Sequence, residues 1–175
     1  MDYLAVISVA CSKISEDFFH IEAADGDPVW RERVYAYELY HQVRLVLGDD
    51  FPLRAHGELD KSGHEHAQGL LAQSKPDLVL HVPGQHGSNE LVVEIKAAPN
   101  GSANSIYNDD YEKLRRFTDE LGQFSYKRGL FLVYGTGAIQ KGVAVNALLA
   151  QQLNPKLRII VNPTPGHAEL LPLPF

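Results

Sequence analysis

Apolar positions along the chain fall into short blocks whose period switches between that of a helix and that of a strand. Residues 3–19 read as an amphipathic helix. Asp27-Pro28 reads as the start of a second helix, with Asp27 as cap and Pro28 at the first helical position. This helix is predicted to run to Leu47, where Gly48 stops it. Residues 51–59 are predicted as a strand broken at Gly57. The polar stretch 61–75 reads as a loop with a short helix over 66–73. Pro76 opens a second strand over 77–82, residues 83–89 are turn chemistry throughout, and a third strand covers 91–96. Tyr107, Tyr111, Leu114, Phe117, Leu121 and Phe124 recur every three or four residues, which predicts an amphipathic helix over 107–124. A buried strand over 129–134, a helix over 139–153 and a strand over 157–161 follow. The tail from Asn162 has four prolines and is expected on the surface.

This alternation argues for an α/β fold, a mixed central sheet with helices on both faces, and for pairing of the second and third strands. The 175 residues contain no repeat and no boundary, so a single domain over 1–175 is expected. A lone cysteine, Cys11, excludes an internal disulfide and a cysteine-rich zinc module. The apolar run at residues 3–11 is far short of the roughly 20 residues a membrane helix needs. Asp2 stands where a signal peptide would be basic, so no membrane association and a cytoplasmic location are expected. Acidic residues outnumber basic ones 22 to 16, a formal charge of -6, which removes a bulk basic footprint for nucleic acid but leaves room for a local patch.

The chemistry lies on the second and third strands. Side chains alternate across a strand, so Glu94 and Lys96 point the same way while Leu91, Val93 and Ile95 point into a core. Asp77, Val79 and His81 share one face of the preceding strand. If the two strands pair, Asp77 and Glu94 converge with Lys96 beside them. Converging carboxylates repel unless something positive sits between them, and hard oxygen ligands suit Mg2+ or Mn2+. Such a metal activates water and stabilises phosphate charge. A cross-strand ion pair is also a sufficient reason for alternating Glu and Lys. The mostly apolar run around them favours a metal or a partner, because uncompensated charge under a covered face is costly.

Pro76-Asp77 followed by Glu94-Ile95-Lys96 resembles the PD-(D/E)XK superfamily, the restriction-endonuclease-like nucleases. The family core of helix, three strands, helix and strand corresponds to residues of about 28–134, with an extra N-terminal helix before it. The resemblance implies a divalent-metal-dependent nuclease hydrolysing phosphodiester bonds, in DNA first. It implies Asp77 and Glu94 as metal ligands and Lys96 as the residue that assists the attacking water. Many members add a glutamate from the first core helix, for which Glu38 is the match, with Val34, Tyr35, His41, Gln42 and Leu45 around it as a mostly inward-facing set.

Lys113, on a helix with Arg115 and Arg116, suits a phosphate or supporting role, or a solvated helix face. His81 shares the face of Asp77 and is a further candidate neighbour. Gly135-Thr-Gly137 lacks the continuation of a nucleotide-binding loop, and no Gly-x-Ser-x-Gly elbow is present. The absence of a DNA-reading module leaves room for a protein partner that supplies specificity, and for a homo-oligomer. The rival reading is a non-catalytic interaction module on the same fold, in a defence or repair complex, which the acidic balance favours. A third is a metal-dependent hydrolase of another phosphate ester.

Overall fold

A computed structural model describes residues 2–57, 75–85, 88–99, 108–122, 125–152 and 154–172. The loop at 61–75, with its expected helix, lies outside the described residues except for Lys75. The first helix, α1, spans Tyr3–Cys11 and is capped by Asp2, whose Oδ1 accepts from Leu4 N at 3.0 Å. It ends earlier than the amphipathic pattern suggests. Lys13 N and Ile14 N bond three residues back, and Ser12 Oγ turns onto Val9 O, which tightens and closes the helix. A tight helical turn, Glu16–Phe18, then brings Phe19 into the core with Ile14.

The second helix, α2, spans Glu32–Leu47 and not residues 28–47. Asp27-Pro28 sits instead between Ile21 and Val29, which form an antiparallel bridge with reciprocal 2.9 Å bonds. Asp-Pro serves a turn as well as a helix start, and the β-branched pair on either side decides the matter. The C-terminus is as expected: Gly48 adopts φ 76° and donates to Arg44 O.

Six strands form one sheet in the order β1 (Arg54–Gly57), β2 (Leu78–His81), β3 (Asn89–Ala97), β4 (Arg128–Tyr134), β5 (Leu157–Thr164) and β6 (His167–Leu170). The pairs β1/β2, β2/β3 and β5/β6 are antiparallel; β3/β4 and β4/β5 are parallel. Parallel pairing needs crossovers, and the helices supply them: α3 (Asn108–Arg115), continuing as a wider π-type turn at Arg116–Glu120, before β4, and α4 (Ala138–Gln152) before β5. One sheet face buries Leu78, Leu80, Leu91, Val93, Ile95 and Leu130 under α1 and α2. The other buries Val79, Val92, Phe131 and Val133 under α3 and α4. The chain is thus a mixed α/β protein with a six-stranded mixed sheet flanked by helices.

The tail departs from its expected surface course. Strand β5 runs on through Thr164, Gly166 turns at φ 82°, and β6 returns along it. Pro163 fits where the register shifts between Val161 and Thr164, and Pro165 lies in the turn before Gly166. Buried Asn162 holds this bulge. Its Nδ2 donates to Thr164 O and His167 O, and its Oδ1 accepts from Tyr35 of α2 at 2.6 Å.

Candidate functional site

Strand β3 has nine residues against four in β2, so its C-terminal half runs past its neighbour. The N–H groups of Ile95 and Ala97 face the side that β2 has vacated, and buried donors need partners. Two carboxylates supply them. Asp77 Oδ2 accepts from Ile95 N at 2.7 Å, just where Pro76, which has no N–H, ends the ladder. Glu32 Oε1, from the first turn of α2, accepts from Ala97 N at 3.1 Å.

The pairing Leu78↔Val93 sets Asp77 beside Glu94 on the face under α3. Glu94 is 1% exposed. Lys113 of α3 spans its carboxylate, with Nζ 2.7 Å from Oε1 and 2.8 Å from Oε2, and also donates to Lys75 O at 2.6 Å. Only the Oε2 contact is aligned as a hydrogen bond, so Oε1 is buried at ion-pair distance without an aligned donor among the described residues. Lys96 Nζ lies 3.3 Å from Asp110 Oδ1 of α3 and 3.7 Å from Glu32 Oε2.

Four carboxylates, Asp77, Glu94, Glu32 and Asp110, therefore surround two ammonium groups. Burial pushes the Glu94 carboxyl up to about 8, and the Asp77 charge adds to this. Lys113 and Lys96 oppose the rise without cancelling it. Burial also raises Asp77, against the Ile95 N–H and the two lysines. For Lys96, burial disfavours the charge, but the four carboxylates outweigh it and hold the ammonium above its usual range.

The structure thus brings together Asp77, Glu94, Lys96 and Lys113. It places two other sequence candidates elsewhere. Glu38 is taken up within its own helix, accepting from Gln42 Nε2 at 2.6 Å and meeting His41 Nδ1 at 3.3 Å. Of the inward-facing set expected around it, Tyr35 is buried, Val34 and Gln42 are half-buried, and His41 and Leu45 are exposed. The buried stripe of α2 is Tyr35, Leu39 and Val43, while Leu45 is 61% exposed. The α2 carboxylate that reaches the cluster is Glu32, about one and two-thirds turns earlier. His81 lies at the far end of β2, about 13 Å from Asp77 by strand rise, and bonds His56 of β1 at 2.7 Å.

Sequence reasoning missed Glu32 and Asp110. A helix start at Glu32 would have shown the first, since a first-turn acid lies at the sheet's end. The three-residue spacing of Asp110 and Lys113 would have shown the second, because such residues share a helix face. Glu32→Gln is expected to cost about 1–2 kcal/mol, as a charged acceptor is lost from Ala97 N. Glu38→Gln is expected to change stability by less than about 0.5 kcal/mol, its partners remaining bondable. Urea midpoints of the two variants check this.

Among the described residues, no three His, Cys, Asp or Glu side chains group closely enough to form a metal cage. Mg2+ does not demand one. It typically takes one or two carboxylates and completes its shell with water and substrate phosphate. Adjacent Asp77 and Glu94, with a carboxylate excess around them, fit a cation bound in that way. The chain matches no protein-family model, no curated protein and no solved structure.

Proposed function

We propose that the protein is a divalent-metal-dependent nuclease that hydrolyses phosphodiester bonds, in DNA first. The observation that carries this reading is the adjacency of two buried or half-buried carboxylates, Asp77 and Glu94, both held above the usual acid range, with Lys96 two strand positions beyond Glu94 on the same face. Such a pair is poorly satisfied by its own surroundings and gains from a cation. The order helix, three antiparallel strands, helix and parallel strand, from α2 to β4, further supports a PD-(D/E)XK core.

In this reading Asp77 and Glu94 hold Mg2+ or Mn2+, which supplies a Lewis acid for the phosphate and lowers the pKa of its water. Lys96 sets the nucleophile. Glu32 and Asp110 fix its ammonium from two sides and keep it charged, so it can orient a water but cannot itself take a proton near neutral pH. Lys113 balances Glu94 and ties α3 to β3 and to the turn before β2.

The test is cleavage of a panel of supercoiled plasmid, linear duplex, single-stranded DNA and RNA, with Mg2+, with Mn2+ and with chelator. Metal-dependent cutting by the wild type, lost in Asp77→Asn by about a hundredfold or more, is expected. Lys96→Arg keeps the charge but replaces a compact ammonium with a planar fork, and is expected to lose most turnover while retaining metal affinity by calorimetry. Equal turnover in Lys96→Arg returns this residue to an ion pair with Glu32 and Asp110.

One observation favours a second reading. Lys113 already lies within 3 Å of both Glu94 oxygens, as it would in a fold that keeps the cluster only as an ion-pair network. A non-catalytic interaction module on this fold is then the conclusion if clean protein cuts nothing in the panel.

A further inference from the structure

A second charged surface lies on the other face of the sheet and at its opposite end. There the start of α1 meets the first residues of β3, β4 and β5 around a groove of 740 Å³. This is within the range of about 300–1,000 Å³ typical of small-molecule sites. Leu91, at its edge, is five strand positions from Lys96, roughly 16 Å by strand rise.

Four cations line the groove, and they are not equivalent. Lys127 is bound to Glu90 at 2.6 Å, and Lys156 to Asp119 at 2.8 Å and to Thr118 O at 2.9 Å. Arg128 and Arg158 differ. Leu91 pairs with Arg128 and Leu130 with Arg158, so both arginines project from adjacent strands onto the α1 face, diagonal neighbours about 8 Å apart at the backbone. The Arg158 Nε is buried and has no hydrogen-bond partner among the described residues. Burial, and then the Arg128 charge, pull the Arg158 guanidinium below its usual range, and Asp2 only partly offsets them. The Asp2 carboxylate is itself engaged by Leu4 N as the cap of α1.

Two guanidinium groups held on one face, one with a buried orphan donor, gain from a shared anion. Phosphate matches their forked, planar donors better than a single-point acceptor does. Besides these four cations the lining holds two acids, Asp2 and Glu90, and an apolar part made of Tyr3, Leu4, Leu91, Pro155 and Leu170. A bare inorganic anion would leave that surface unused. We propose that this groove binds an organic phosphate of about nucleotide size, with the phosphate on Arg128 and Arg158 and the organic body against Tyr3 and Leu170. The phosphate is carried either by a free nucleotide or by the end of a nucleic-acid strand. This site is independent of the nuclease reading, because it shares no residue with the Asp77–Glu94 cluster.

Calorimetry on the full chain in chelator, so that no strand is cut, tests it with AMP, adenosine, inorganic phosphate and a hexanucleotide with and without a 5′-phosphate. AMP is expected to bind about tenfold more tightly than inorganic phosphate or adenosine, since it alone engages both halves of the groove. Arg158→Ala and Arg128→Ala should each weaken AMP about tenfold or more. The Arg128 side chain is exposed, so its removal does not threaten the fold and keeps the test decisive if Arg158→Ala folds poorly. Asp2→Asn, which removes a competing charge, should tighten AMP by about two- to threefold. A hexanucleotide that binds more tightly with its 5′-phosphate, and loses that gain in Arg128→Ala, assigns the site to strand ends. AMP binding with no effect of the hexanucleotide's phosphate assigns it to free nucleotides. No AMP binding at millimolar concentration, or equal AMP affinity in wild type and Arg128→Ala, overturns the proposal.

Discussion

Glu94→Gln is expected to make the metal-free protein more stable above neutral pH, an unusual outcome for a change at a fully buried charged residue. In the folded state the Glu94 carboxyl is raised to about 8 from an ordinary value of 4.5. Between these values the folded chain holds a proton that the unfolded chain has released. Stability must then fall as pH rises through this window and level off above about 8. Asp77 is raised in the same direction, so its own contribution has the same sign. Glutamine is uncharged throughout, so the variant should lose most of the slope and exceed the wild type at pH 9 by on the order of a few kcal/mol. Chemical unfolding from pH 5 to 9 measures it. Millimolar Mg2+ offers a second readout. A cation that binds Asp77 and Glu94 must displace the Glu94 proton, so it should flatten the wild-type slope and leave the variant unchanged. If Glu94→Gln is as destabilised at pH 9 as at pH 6, the carboxylate is ionised and fully matched by Lys113. The metal reading then loses its main support.

The parts of the fold that sequence periodicity reaches are those where one pattern dominates. The alternation over β3 puts Leu91, Val93 and Ile95 in one core and Glu94 and Lys96 on the other face, as expected. The adjacency of β2 and β3, and the stop at Gly48, also follow from local chemistry. Local chemistry fails where two meanings compete. Asp-Pro marks both turns and helix starts, and a start at Pro28 puts Glu32 in the second turn of α2, where the structure has it in the first. Strand β6 was hidden because its proline-rich approach resembles a tail. What holds it is Asn162, whose partners Tyr35 and His167 lie in other elements. The site itself was partly legible. Asp77, Glu94 and Lys96 announce themselves by spacing and Lys113 as a helix cation, whereas the contact of Asp110 with Lys96 and of Lys113 with Glu94 arises because a crossover helix lies over β3, a tertiary fact that no spacing within one strand contains.

Lys113→Met is expected to be the most damaging single change at the cluster. The ammonium is the nearest positive charge to Glu94 and also bonds Lys75 O. Removing one member of a buried pair leaves the other uncompensated, at a cost of about 3–5 kcal/mol, reduced toward the lower figure here because a fifth of the Lys113 side chain is exposed. A solvated helix cation, the alternative its neighbours Arg115 and Arg116 suggest, would cost less than about 1 kcal/mol. Methionine keeps the length and apolar stem, so packing against β3 changes little. With the ammonium gone, Glu94 should hold its proton to still higher pH, and the alkaline loss of stability should deepen. Combining Lys113→Met with Glu94→Gln removes both charges, and the double variant should recover most of the stability that Lys113→Met alone loses. Denaturant unfolding of the two single variants and the double variant at pH 6 and 9 gives the coupling directly. A coupling that is large at pH 9 and smaller at pH 6 is the result expected of an ion pair whose acid titrates between them. Additive effects at both pH values would mean that Lys113 acts through Lys75 O, with Glu94 only its neighbour.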